Sequence, residues 1–169
     1  MNTVTHRMCG FTAGLGAVSV LPLTPAEAVG VVALSALVSG GHLSPDMDQR
    51  KWWRFLDKWL PDEWLGNGGP LQHRGITHWW GMILAGLVVA VFTVGVPWWV
   101  IGLTTGWGSH LLGDAVYGAR SPGRGPGIPL GPWWGHHGAG FHSGGTGEIL
   151  VARPVLALLS VAFLLVIGG

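Results

Sequence analysis

Apolar residues along this chain gather into five long stretches separated by polar breaks. The first covers residues 4–20, is rich in Gly, Ala and Val, and ends at Leu21-Pro22-Leu23. The second opens at Thr24-Pro25-Ala26-Glu27, where Thr24 suits the N-cap, Pro25 the first helical position, and Glu27 closes a capping box. It runs through about Ser39 and stops at Gly40-Gly41. The third spans about 78–95 and is broken by Gly95-Val96-Pro97, the fourth runs from about Trp98 to Tyr117, and the last from about Gly147 to Ile167. The many small residues of the first two predict a tight helical hairpin, because small side chains let helices approach closely in lipid.

Two longer polar connections lie between these stretches. In residues 42–77, the apolar positions 52, 53, 55, 56, 59 and 60 fall largely on one helical face, with Arg50, Lys51, Arg54 and Lys58 elsewhere. Trp52, Trp53 and Trp59 beside four cations predict a helix lying in the membrane interface, where Trp, Lys and Arg anchor well. An amphipathic helix packed on the protein's own core is the other reading. Residues 118–147 form a Gly/Pro-rich loop carrying Arg120, Arg124, Trp133, Trp134, His136, His137 and His142.

Composition agrees with a bilayer environment. Only 10% of the 169 residues are charged and 49% are apolar, with 30 glycines and 11 tryptophans. A soluble domain carries roughly 25% charged residues. Residues 79–103 and 154–169 hold no charged side chain, and a span needs roughly 20 mainly apolar residues. The expected fold is a single-domain, all-α integral membrane protein over residues 1–169, with about five membrane-embedded helices and one amphipathic interfacial helix. A net charge of +1 implies no nucleic-acid partner, and a lone Cys9 excludes an internal disulfide or a thiolate metal cluster. The N-terminus does not read as a cleavable signal peptide.

All nine Lys and Arg (positions 7, 50, 51, 54, 58, 74, 120, 124 and 153) fall on or near one side of a five-span map. The short loops at 21–24 and 95–97 lie on the other. The positive-inside rule makes the charged side cytoplasmic.

The polar residues left over collect on that same side: His6, Asp46, Asp48, His73, His78, His110, Asp114 and Glu148. His73, Arg74 and His78 are crowded into Gln72-His73-Arg74-Gly75-Ile76-Thr77-His78 at the mouth of the third apolar stretch. His110 and Asp114 are four apart and share a helical face. His110 lies seven residues before Tyr117, roughly 10 Å from the helix end. An ionisable pair at that depth is costly unless it is used. Pro45-Asp46-Met47-Asp48 offers two carboxylates from a turn, one able to bind metal while the other orients a neighbour. Imidazole and carboxylate without thiolate suit a divalent ion, Zn first, with Mn or Fe as alternatives, one or two per chain. Arg74 is shaped to hold an anionic group. Structural readings stand beside these: a His–Asp hydrogen bond tying helices together, a solvated turn at 45–48, an interfacial His6, and plain loop positions for His42, His136, His137 and His142.

Thr5-His6, the Pro-Asp-Met-Asp turn, the His-Arg-Gly-Ile-Thr-His block, Ser109-His110-Leu111-Leu112-Gly113-Asp114, Gly127-Ile128-Pro129-Leu130 and Gly145-Thr146-Gly147-Glu148 together resemble the YdjM-like inner-membrane proteins. The resemblance spans roughly residues 5–150. It implies a metal-dependent hydrolase, LexA-controlled in some bacteria, with metal roles for His73, His78, His110, Asp114 and the two aspartates of the turn. Gln49 stands where that family commonly has His. The HxxxD spacing is also similar to that of zinc-dependent phospholipases C.

These readings together lead to a hydrolase of the bacterial inner membrane, with its active site on the cytoplasmic side. It would cleave an ester or phosphoester of a lipid or lipid-linked substrate with a metal-activated water. Arg74 would stabilise developing charge, and Asp46 or Asp48 would serve as general base. The rival readings are a metal-binding or transport protein, and a membrane scaffold whose Trp-rich 52–64 stretch binds a partner. The topology is open to direct measurement. A reporter fused within residues 50–64 is expected in the cytoplasm and one at the C-terminus outside. The same location for both overturns the five-span map.

Overall fold

The computed structural model describes residues 2–41, 43–45, 59–61, 76–117, 128–129, 136–137 and 143–169. Five long helices carry the fold: α1 (Thr3–Val20), α2 (Pro25–Gly40), α3 (Trp80–Val94), α4 (Trp98–Tyr117) and α5 (Arg153–Gly168). A short 3-10 turn, Ile76–His78, precedes α3, and a π turn, Glu148–Ala152, runs directly into α5. The helical part of the expected fold class is thus found, at nearly the expected boundaries. The proposed interfacial helix falls almost wholly outside the described residues. Within the 118–147 loop, Ile128–Pro129 and His136–His137 pair as a two-residue antiparallel ladder, a feature the Gly/Pro-rich sequence did not suggest.

Local chemistry explains the helix ends. The Thr24 hydroxyl accepts from the Glu27 backbone N–H at 3.4 Å, and the Glu27 carboxylate accepts from the Thr24 N–H at 2.9 Å, which completes the predicted capping box. Asn2, not singled out from sequence, caps α1 by accepting from the Thr5 N–H at 3.0 Å. Gly95 ends α3 with φ of 77°, a left-handed conformation that other residues rarely adopt. The π turn has a cause in Pro154. Its ring cannot donate to the Leu150 carbonyl and crowds it, and a wider turn relieves both problems.

The interior is polar and the exterior is apolar. Among the described residues the buried hydrophobic side chains are Leu15, Val31, Val38, Val100 and Leu111. The buried polar ones are more numerous: Thr5, His6, Thr12, Ser35, Ser39, Ser44, Thr77, His78, His110, Asp114 and Glu148. Meanwhile Phe92, Val89, Leu158 and Leu165 stand exposed. Glu148–Gly168 is a helix of 21 residues, apolar and long enough to cross a membrane, with none of its apolar window buried against the protein. At 1.5 Å per residue it reaches about 31 Å, the thickness of a hydrocarbon core. Pro25–Gly40 and Trp80–Val94 are shorter apolar helices.

Helices α1, α2 and α4 form the packed centre, with α5 against α1 and α3 leaning on α4. The centre depends on missing side chains. A Cβ on Gly10 of α1 would collide with the Ser35 carbonyl oxygen of α2. A Cβ on Gly106 of α4 would stand 2.6 Å from that same oxygen and 2.9 Å from Val38 Cβ. A Cβ on Gly14 would come 2.9 Å from the Val32 Cα. The α2 backbone is therefore gripped from both sides. Hydroxyls add to this: Thr12 and Ser160 lie 2.8 Å apart between α1 and α5.

Gly10→Ala and Gly106→Ala are each expected to destabilise the purified protein by about 1–3 kcal/mol, the usual cost of overpacking. Gly86→Ala, whose added Cβ meets nothing within 4 Å, is expected to be neutral or slightly stabilising. Denaturation in detergent, followed by circular dichroism, checks the ranking.

Candidate metal centre

Each helix brings one polar end to the same end of the bundle. His6 sits in the first turns of α1, Ser39 at the end of α2, His78 just before α3, and His110 with Asp114 near the end of α4. Asp114 and His110 are held on one face of α4 by their spacing of four.

Three of these residues form one compact group. Ligand atoms of His6, His110 and Asp114 all lie within 4.8 Å of one another, and all three residues are buried. His6 Nε2 is 3.1 Å from Asp114 Oδ1, and the His6 and His110 rings stack with centroids 3.9 Å apart. His78 joins from the adjacent turn. Its Nε2 is 3.4 Å from His110 Nε2 and 3.6 Å from Asp114 Oδ2, and Asp114 Oδ2 is 3.7 Å from His110 Nε2.

The outer atoms are arranged to aim these ligands. His110 Nδ1 is 2.6 Å from the Ser39 carbonyl oxygen. A carbonyl can only accept, so Nδ1 carries the proton and, in the neutral ring, Nε2 keeps its lone pair toward Asp114 and His78. His78 Nδ1 is likewise 3.1 Å from Thr77 Oγ1. The Trp107 indole N–H donates to the Thr77 carbonyl at 2.9 Å, and Ser109 Oγ lies 3.0 Å from Ser39 Oγ. In this way α4 fixes both the turn that carries His78 and the end of α2 that orients His110.

His6 supplies the test of fit. Neither of its ring nitrogens makes a hydrogen bond among the described residues, although the residue is only 2% exposed. Its Nε2 approaches Asp114 Oδ1 to 3.1 Å, an ion-pair contact. A buried imidazole without a hydrogen bond is costly. A cation shared with the Asp114 carboxylate and the His110 imidazole, whose ligand atoms lie within 4.8 Å of those of His6, would satisfy it. The donor set, nitrogen and oxygen with no thiolate, fits a divalent ion.

Glu148, also expected among the ligands, is held by backbone donors. Its Oε1 accepts from the Asn2 N–H at 3.0 Å and its Oε2 from the Gly144 N–H at 2.6 Å. Asn2 in turn caps α1, and Arg153 Nε donates to Thr5 Oγ1 at 3.0 Å. Glu148 and Arg153 thus pin the start of α1, and with it His6, to the start of the last helix. Asp46, Asp48, His73 and Arg74 lie outside the described residues, as do His42 and His142. Only the backbone of His136 and His137 is described. Ser39, Thr77 and Trp107 were not assigned site roles from sequence. The only signal for Ser39 was its place at a helix end, where carbonyls lack partners.

A family model described as YdjM inner membrane protein matches residues 1–168. No curated protein and no solved structure matches the chain.

Metal analysis of the purified protein tests the centre. His110→Ala and Asp114→Ala are each expected to lose most bound metal, and His42→Ala to retain it. Thr77→Val, which removes only the hydroxyl beside His78 Nδ1, is expected to weaken affinity about 10–100-fold, the usual loss for an outer partner of a ligand. Full occupancy in both ligand variants would remove the α4 pair from the centre.

Proposed function

Because the chain belongs to the YdjM inner membrane protein family, we propose that it is a multi-pass, membrane-bound, metal-dependent hydrolase of the bacterial inner membrane. Its substrate is an ester or phosphoester of a lipid or lipid-linked molecule, and its active site faces the cytoplasm. The observation that supports this most is the buried His6 ring, turned without a hydrogen bond toward Asp114 beside His78 and His110. Those four residues would hold the ion. When bound, a divalent ion, Zn first, lowers the pKa of water and polarises a phosphoryl or acyl oxygen.

The chain's own residues then have distinct tasks. The Ser39 carbonyl and Thr77 hydroxyl keep the two rings in a ligating orientation. Glu148 and Arg153 hold the α1 terminus, so that His6 stays in register with α4. Arg74, four residues before His78, carries the guanidinium that grips the substrate's anionic group. Asp46 or Asp48 takes the proton from the attacking water. His73 joins the centre or orients one of these carboxylates.

A transport role needs ionisable groups that continue across the membrane. Between Trp79 and Ser109 the sequence holds none, which favours chemistry at one end over passage. A metal-flux assay in liposomes separates the two readings.

Arg74→Lys is the sharpest test of the catalytic reading. A carboxylate or phosphate is gripped by two parallel hydrogen bonds from Arg, which Lys cannot reproduce. Once a lipid substrate is found by hydrolysis screening, this variant is expected to keep its metal and lose activity about ten- to a hundredfold. That loss corresponds to one charge-assisted contact of about 1.5–3 kcal/mol, and it should appear in kcat as well as KM. Loss of metal instead would make Arg74 a structural part of the centre and overturn its role on substrate.

A further inference from the structure

Beyond the metal centre, α3 and α4 diverge and leave a cleft of about 200 Å³ between them. Met82, Gly86 and Ala90 form one wall and Trp99, Leu103 and Trp107 the other. The cleft begins where the centre ends. Met82 is one turn beyond His78, and Trp107 is one turn before His110. From Trp107 to Trp99 it runs eight residues along α4, about 12 Å, most of the ~15 Å that a single leaflet's acyl chain spans.

The lining is apolar in a specific way. Two of its polar groups have already spent their hydrogens on the protein. The Thr104 hydroxyl donates to the Val100 carbonyl at 2.8 Å, and the Trp107 indole to the Thr77 carbonyl at 2.9 Å. Beside these, the remaining side-chain donor of the lining is the Trp99 indole N–H. Gly86 makes room, since a Cβ at that position meets nothing within 4 Å, in contrast to the blocked positions at Gly10 and Gly106. Helix α3 buries no residue of its own against the bundle.

In a bilayer an apolar groove gains little by exchanging one hydrocarbon chain for another. A particular chain is retained only if its polar end is anchored, and the anchor here is the group of His6, His78, His110 and Asp114. We infer that the α3–α4 cleft seats one acyl chain of a phospholipid from the surrounding leaflet, presenting the ester or phosphate end to the His78–His110 edge of the centre. This inference rests on the hydrolase reading for what happens to that end, but the seat itself is measurable without turnover. It also gives Trp107 a double duty. The residue is the floor of the cleft and the brace of the turn that carries His78, so an occupying chain touches the residue that positions a ligand.

The test uses the full-length protein, delipidated in detergent and given one molar equivalent of phosphatidylglycerol carrying a diazirine on one acyl chain. After photolysis the label is mapped by mass spectrometry, and bound metal is measured on the same sample. Label on Trp99 and Leu103 is expected at least tenfold above label on the outward residues Leu158 and Val166 of α5. Gly86→Phe and Ala90→Phe, which fill the cleft, are each expected to lower the cleft label about tenfold while keeping the metal. Even labelling of the α3–α4 cleft and α5, or cleft label unchanged in both variants, overturns the proposal. So does a stronger cleft label from a diazirine-bearing polyprenyl phosphate than from the phospholipid. If a bulky variant loses its metal, the comparison of cleft against α5 in the unaltered protein decides. Wild-type protein that binds no metal but labels in the cleft would sink the hydrolase reading and leave the seat standing.

Discussion

The structure hangs on the grip that α1 and α4 exert on the backbone of α2 around Ser35. Gly10 approaches the Ser35 carbonyl from one side and Gly106 from the other, at separations that no side chain would allow. Lipid gives helices no hydrophobic reason to associate, so close backbone contact and interhelical hydrogen bonds have to supply the attraction. Everything polar in the interior depends on that closeness. His6 on α1 can stack on His110 of α4, 3.9 Å away, because the glycines on the same two helices let the axes approach. One added methyl group at either position would widen the spacing on which the ligand group relies.

A second tier of contacts converts proximity into aim. The ligand rings are oriented mainly by backbone oxygen atoms and hydroxyls of neighbouring helices. Ser39 holds His110, Thr77 holds His78, and Trp107 holds Thr77. The α1 terminus is fixed separately, through Asn2, Glu148, Thr5 and Arg153. Glu148 is a buried carboxylate held by main-chain donors. Both of its oxygens already accept backbone N–H groups, which stabilise the carboxylate where it is.

Much of this could be read from residue order. Helix positions followed from the long apolar runs and from Gly and Pro punctuation, and the Thr24–Glu27 cap from its spacing. The His110–Asp114 pair followed from a period of four, and His6 from its placement on the charged side. What could not be read has a common cause. The Ser39 carbonyl that holds His110 is a main-chain group 71 positions away, with no side-chain signature. The part played by Glu148 depends on which backbone N–H groups the fold brings to it, and composition carries no trace of that. The π turn was implicit in Pro154, but a proline one turn into an apolar run reads equally well as an ordinary helix start.

The distribution of the ligand group along the chain bears on how the protein is made. His6 leaves the ribosome among the first residues, whereas His110 and Asp114 follow more than a hundred positions later. Until α4 is made, the α1–α2 hairpin must carry Ser35, Ser39 and His6 with neither the glycine face of α4 nor the Asp114 carboxylate beside them. The centre therefore closes only when the fourth helix arrives, and no contiguous half of the chain can assemble it. α5 follows α4, and Arg153 with the preceding Glu148 then ties down the α1 start that carries His6, so the group is fixed in place only after α5 has joined.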